Sequence, residues 1–279
     1  MLAKKLGRSY PRVPVAHYEN FPVASWLLPA ALRAPVEVIY RFAREADDIA
    51  DEGHDPPDVR LERLNHFYAQ LALIGLGETP EEPLFRDVAR VVRGHDLPPL
   101  LLRDMLDAFS QDVTKTRYAD YAELLDYCRR SANPVGRLLL RLFKRTSETD
   151  FKQSDAICSG LQLVNFWQDV ALDFAKGRIY LPQDEMGRHG VSERHIAEQQ
   201  CDDPWRSLMA AQARRTRSLM LSGAPLGRTL PGRIGLEIRA TVQGGLRILE
   251  KLENGGYDVF RSRPTLEFHD WFLVLLRAV

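Results

Sequence analysis

The feature that most constrains this chain is its periodicity. Apolar residues return every three or four positions through most of the sequence, while alternating β-branched stretches between tight turns are scarce. The pattern predicts an all-α fold with helices over 22–52 (broken early near Pro29 and Pro35), 58–74, 82–94, 98–114, 119–146, 150–175, 203–222 and 232–253. Gly53 to Pro57, Gly75 to Pro83 and the run Asn254-Gly255-Gly256 supply the stops. No Pro/Gly/Ser-rich linker is long enough to divide the 279 residues, so one domain, 1–279, around one deep core is expected. The final stretch, ending HDWFLVLLRAV, carries apolar residues that either cap the core or touch a membrane surface; core packing is the expected use.

Charge narrows the partners. Lys plus Arg equals Asp plus Glu, 38 each, so the overall field gives no reason to expect a nucleic acid. Cys128, Cys158 and Cys201 are odd in number, widely spaced and without a CxxC, which fits reduced thiols in a cytosolic protein better than disulfides or zinc. His95, His189 and His269 show no metal-ligand spacing. No run of about 18 apolar residues is present, and the basic start MLAKKLGRSYPRVP is not followed by an apolar core, so neither a membrane span nor a secretory signal is expected.

Two acidic stripes carry the chemistry. Asp47 and Asp51 lie one helical turn apart, with Arg44 and Tyr40 continuing the stripe and Ala43, Ala46 and Ala50 around them, small residues suited to a helix facing a cavity. At roughly 6 Å such a pair repels by about 3 kcal/mol at an effective dielectric near 20, a cost that a hard divalent cation removes. One such pair is commonplace on exposed helices. A second copy alters its meaning: Gln162, Asn165, Asp169 and Asp173 form one polar stripe, and Leu163, Val164, Phe166, Trp167, Val170 and Leu172 cover the other faces. Carboxylates on so apolar a helix are costly without cations or donors. Two pairs facing one cavity match a diphosphate bridged by Mg²⁺, which takes one or two protein carboxylates and completes its shell with water and phosphate. Metal would neutralise the leaving diphosphate, and apolar walls would protect the resulting carbocation.

At these residues the chain resembles the squalene/phytoene synthase family, whose aspartate-rich motifs correspond to Asp47-Asp48-Ile49-Ala50-Asp51 and Asp169-Val170-Ala171-Leu172-Asp173. Leu27-Leu28-Pro29, Ile39 to Arg44, Tyr127-Cys128, Val135-Gly136 and Gly177-Arg178-Ile179-Tyr180-Leu181-Pro182 extend the likeness over about residues 17–265. The first motif is shared with chain-elongating prenyl synthases and terpene cyclases; the second, with its trailing GRIYLP, is much more specific to head-to-head condensing enzymes. The resemblance implies an all-α isoprenoid-synthase fold, with Asp47, Asp48, Asp51, Asn165, Asp169 and Asp173 binding Mg²⁺. It places Asn20, Tyr40, Arg44, Gln162, Asn165, Arg178 and Tyr180 on a prenyl diphosphate, and Asp47, Asp51, Asp169, Asp173, Tyr127 and Asn133 in the catalytic set. Arg44 also has a plain structural use as an ion pair to Asp47 or Asp48, and Arg178 and Tyr180 as loop anchors.

Within the family, the segment His17 to Ser25, the segment Ser131-Ala132-Asn133-Pro134-Val135-Gly136 and the pair Asp270-Trp271 resemble the hopanoid-pathway branch. That implies presqualene diphosphate as substrate, expulsion of diphosphate and a water quench to hydroxysqualene. It also leaves room for peripheral membrane contact and hand-over to other enzymes of that pathway. Gln168 stands where the family commonly has arginine, which removes a diphosphate contact and fits a substrate with one diphosphate. Asn133 either holds the quenching water or satisfies backbone groups freed by Pro134. No GxGxxG turn is present, and water is a simpler quench than hydride. The rival activities are condensation of two farnesyl diphosphates to presqualene diphosphate, squalene or dehydrosqualene and, from another class, a non-catalytic lipid-binding or assembly role, against which all four principal aspartates are retained.

Overall fold

The computed structural model describes residues 28–53 and 55–279, and among these every regular element is a helix. The first four are α1 (Ala30–Asp51), α2 (Pro57–Gly75), α3 (Pro83–Gly94) and α4 (Pro99–Asp112). Then come α5 (Tyr121–Ser131), α6 (Asn133–Leu142), α7 (Glu148–Gln168) and the one-turn continuation α8 (Val170–Ala175). Short α9 (Gln183–Arg188) and α10 (Glu193–Ala197) lead to α11 (Asp203–Gly223), α12 (Leu226–Thr229), α13 (Gly232–Asn254) and α14 (Phe268–Ala278).

Local chemistry sets the starts. Pro57, Pro83 and Pro99 open α2, α3 and α4, where a missing N–H is harmless. Asp120, Ser147 and Asp202 cap α5, α7 and α11 by accepting from the backbone N–H of Glu123, Asp150 and Trp205 at 2.9, 3.1 and 3.0 Å. Gly53, Gly77, Gly177 and Gly256 turn the chain with positive φ after α1, α2, α8 and α13.

The structure departs from the sequence expectations in several places. Pro29 precedes the first turn of α1 as expected, but the helix runs on through Pro35, which is buried on the core face. The expected helix 119–146 is two helices, because Pro134 has no N–H for the Arg130 carbonyl and the chain turns at Ala132. The expected helix 150–175 kinks at Asp169, although Asp169 N–H still bonds the Asn165 carbonyl and Asp173 N–H the Asp169 carbonyl, at 2.9 and 2.8 Å. Ala46 and Ala50 are fully buried against neighbouring helices rather than lining a cavity, and Leu172 is 52% exposed.

Buried side chains gather in two adjoining clusters. One holds the inner faces of α1 to α4 with Leu138 and Leu142 of α6; the other joins α5, α7, α11 and α13. At the heart of the second, α11 lies along α7, where Trp167 Nε1 donates to Thr216 Oγ1 at 2.8 Å and Gly223 allows backbone contact with Gln153. The two clusters adjoin along α4, which gives Leu106 and Phe109 to the first and Ala108 to the second.

Candidate active site

α1 delivers Asp47 and Asp51 on its last turn and a half, α4 ends on Asp112, and the α7–α8 junction carries Asp169 with Asp173 one turn on. The loop after α8 closes the group. Arg178 Nη1 lies 2.6 Å from Asp51 Oδ1, Nη2 donates to the Asp112 backbone carbonyl at 3.0 Å, and Lys176 Nζ stands 4.0 Å from Asp51. That loop is pinned from below: Ile179 N–H bonds the Thr116 carbonyl, Gln183 N–H the Tyr118 carbonyl, and Tyr180 stacks on Phe166 with ring centroids 3.7 Å apart. Tyr118, Tyr127, Phe166 and Tyr180 thus form an aromatic wall beside the carboxylates.

The carboxyls are under strong electrostatic pressure. Burial, then the Asp51 charge, pushes Asp47 up to about 7. Burial, then Asp169, does the same to Asp173, with Lys176 and Arg178 opposing. Yet the Asp47 side chain keeps 37% of its surface accessible, which describes a carboxyl in the wall of a recess, surrounded by protein and reached by solvent. Burial would lower the Arg178 pKa, but Tyr180, Asp51 and Asp112 hold it above the ordinary value, so it stays a cation. Asp51 acts on Asp173 as well as on Asp47, so the two motifs share one field.

Two participants escaped the sequence reading. Asp112 is 6% exposed; its Oδ2 accepts from the Tyr127 hydroxyl at 2.6 Å, its Oδ1 has no hydrogen-bond partner among the described residues, and burial pushes it up to about 7 against the pull of Tyr127 and Arg178. The available signal was its place on the buried stripe Leu101, Met105, Ala108, Asp112, an acid on a core face at a helix C-terminus, where the dipole disfavours it. Arg263, between α13 and α14, makes a bidentate ion pair with Asp169, and no local pattern marks it.

Other expected residues are placed differently. Arg44 is held by Asp48 at 2.9 Å and Glu52 at 3.1 Å, with Asp47 at 3.8 Å, on the outer side of α1. Tyr40 lies close enough to act on Arg44. Gln162 is half-buried and Asn165 exposed along the stripe leading to Asp169. Gln168 is buried and donates to the Pro264 carbonyl at 2.6 Å, tying α7 to the tail. Asn133 Oδ1 accepts from Ser159 Oγ at 2.8 Å, so α7, rather than the freed backbone, satisfies it. Asn20 lies outside the described residues. Glu267, His269 and Asp270 come within 4.8 Å of one another, a grouping that spacing did not foretell, but Asp270 is already held by Arg247 and Lys251 at 2.7 Å each.

Comparison with known proteins fits this geometry. The squalene/phytoene synthase profile matches residues 15–270. The chain belongs to the squalene/phytoene synthase family. It is 38% identical over 237 residues to the hydroxysqualene synthase of Rhodopseudomonas palustris, covering 84% of this chain and 80% of that one. The hydroxysqualene synthase of Zymomonas mobilis is 34% identical, with 84% and 77% covered. Among solved structures, the squalene synthase HpnC from Alicyclobacillus acidocaldarius superposes with a TM-score of 0.80 at 32% identity, over 86% of this chain and 90% of that one. A dehydrosqualene synthase in complex with ligand, 22% identical, shares the fold at the same TM-score of 0.80, over 90% and 87%. Family membership makes the protein a squalene synthase-like enzyme of isoprenoid biosynthesis with the all-α terpenoid synthase fold.

Proposed function

We propose that the enzyme converts presqualene diphosphate to hydroxysqualene. The observation that carries the reading is the meeting of two acidic helix ends across one recess, with a guanidinium between them and an aromatic wall beside them. In balance, the carbon–oxygen bond to diphosphate breaks with its electron pair on the leaving group, the C30 cation rearranges, water adds, and one proton is released.

The oxygen-only donor set suits Mg²⁺. Among the described residues no three of these aspartates come within 4.8 Å of one another, so they do not form a protein-only cage, as expected when phosphate and water complete the shell. Asp47 and Asp51 on one side and Asn165, Asp169 and Asp173 on the other would hold it; Asp48 would join only by releasing Arg44. When bound, Mg²⁺ supplies charge neutralisation for the leaving group. The protein supplies the rest: Arg178 sits where a diphosphate oxygen can be received, and Tyr118, Tyr127, Phe166 and Tyr180 exclude water from one side of the cation. Asp112, with an unpartnered oxygen and a carboxyl poised near neutrality, is the group suited to take the final proton. Gln168, turned to Pro264, supplies no second anion site, which fits a single diphosphate.

The test is product analysis by mass spectrometry with Mg²⁺ and without NADPH, presenting presqualene diphosphate and farnesyl diphosphate separately. Hydroxysqualene from the first is the expected outcome. A C30 hydrocarbon or presqualene diphosphate from farnesyl diphosphate would move the assignment to condensation. No product from either would return it to a non-catalytic role.

A further inference from the structure

The turn that presents Arg178 is gripped by a second arginine. Gly177 stands just before it with a φ of +81°, a conformation that glycine adopts without steric cost. That freedom also leaves the peptide between Gly177 and Arg178 easy to rotate unless its carbonyl is held. Arg117, in the segment between α4 and α5, holds it: Nη1 donates to the Gly177 carbonyl at 2.7 Å and to the Thr116 carbonyl at 2.8 Å. The Thr116 carbonyl also accepts from Ile179 N–H at 2.9 Å. The peptides on both sides of Arg178 are therefore tied to Thr116 and Arg117.

The other edge of the Arg117 guanidinium is committed to α10. Nε and Nη2 donate to the two carboxylate oxygens of Glu193 at 2.6 and 2.9 Å, a bidentate pairing that fixes the plane of the group. The two side chains keep 31% and 47% of their surface accessible, and an ion pair so open to water adds little to overall stability. What it sets is direction. Among the described residues Arg117 forms no ion pair with an aspartate of the recess, so its influence there passes through the backbone it holds.

The geometry points to Arg117 and Glu193 as positioning residues for Arg178. Glu193 orients Arg117, Arg117 holds the Gly177 carbonyl, and the peptide so fixed aims the Arg178 guanidinium at a diphosphate. This rests on the reading of Arg178 as a diphosphate ligand given above, and it extends the diphosphate site to α10, beyond the residues that touch the anion.

Calorimetric titration of the full chain with inorganic diphosphate at saturating Mg²⁺ tests this, in a double-mutant cycle over Arg117→Ala and Arg178→Ala. Arg117→Ala should weaken diphosphate binding about 10- to 100-fold, the usual effect of removing a group that orients a ligand, while Tm moves little. In the Arg178→Ala background the same change should alter binding by less than about twofold, because no guanidinium is left to aim. Glu193→Gln, which keeps Arg117 but gives it a neutral partner, should weaken binding in the same direction by a smaller factor, and it carries the test if Arg117→Ala folds poorly. Inorganic diphosphate is common to all the prenyl diphosphate reactions considered above, so the outcome is decided independently of which product the enzyme forms. A fall in Tm with unchanged diphosphate binding, or a loss of binding that is equal with and without Arg178, would overturn the proposal. Wild-type protein that binds no diphosphate would overturn the reading of the site and this proposal together.

Discussion

Tyr127 and Asp112 are the pair on which single-residue chemistry is most exposed to test. Among the described residues the Tyr127 hydroxyl is the one side-chain donor to Asp112, and it works against burial to hold the carboxyl down. Tyr127→Phe removes that donor without a large cavity, so a cost of about 1–3 kcal/mol in urea unfolding is expected for leaving a buried acceptor unpaired. The Asp112 carboxyl should then rise from about 7, and the rising limb of kcat/KM against pH should move to higher pH. An unshifted limb would remove Asp112 as the proton acceptor.

At the scale of the helices, α11 packs backbone to backbone on α7. A Cβ on Gly223 would fall 2.4 Å from the Gln153 backbone carbonyl, while one on Gly245 would meet the flexible end of Met220. Gly223→Ala should therefore cost about 1–3 kcal/mol by chemical denaturation and Gly245→Ala clearly less, since a methionine tip moves and a backbone oxygen does not. Most helices were legible because a core-facing stripe repeats with the helical period, as in Leu64, Phe67, Leu71 and Ile74 of α2. The paired aspartates were legible for the same reason. Asp112 and Arg263 were not: one is a lone acid, the other sits in an irregular segment, and both gain meaning only from groups distant in sequence. The breaks at Pro134 and Asp169 show the limit from the other side. The missing N–H of Pro134 accounts for the first, whereas at Asp169 the flanking hydrogen bonds persist and no helix-breaking residue marks the kink.

Across the whole molecule, the acidic recess should leave a mark on stability. A carboxyl whose folded pKa is raised binds its proton more tightly when folded; its contribution is present at low pH and lost as pH rises through the folded value. For Asp47, Asp112 and Asp173 that window runs from their ordinary value near 3.8 up to about 7. The metal-free protein is thus expected to lose thermal stability between about pH 4 and 7, and Mg²⁺ with inorganic diphosphate to restore more at the upper end than at the lower. A Mg²⁺-induced rise in Tm that is equal at both ends would contradict a cation site built from these groups. Deeper in the same recess, Arg178 rests on Asp51 and Arg263 on Asp169. Each guanidinium already gives its aspartate the countercharge that an incoming ion would offer, so filling the recess is an exchange of partners rather than an addition. A lone cation would have to evict an arginine, and a lone anion would face the aspartates. The pocket selects for cargo that arrives carrying both signs at once.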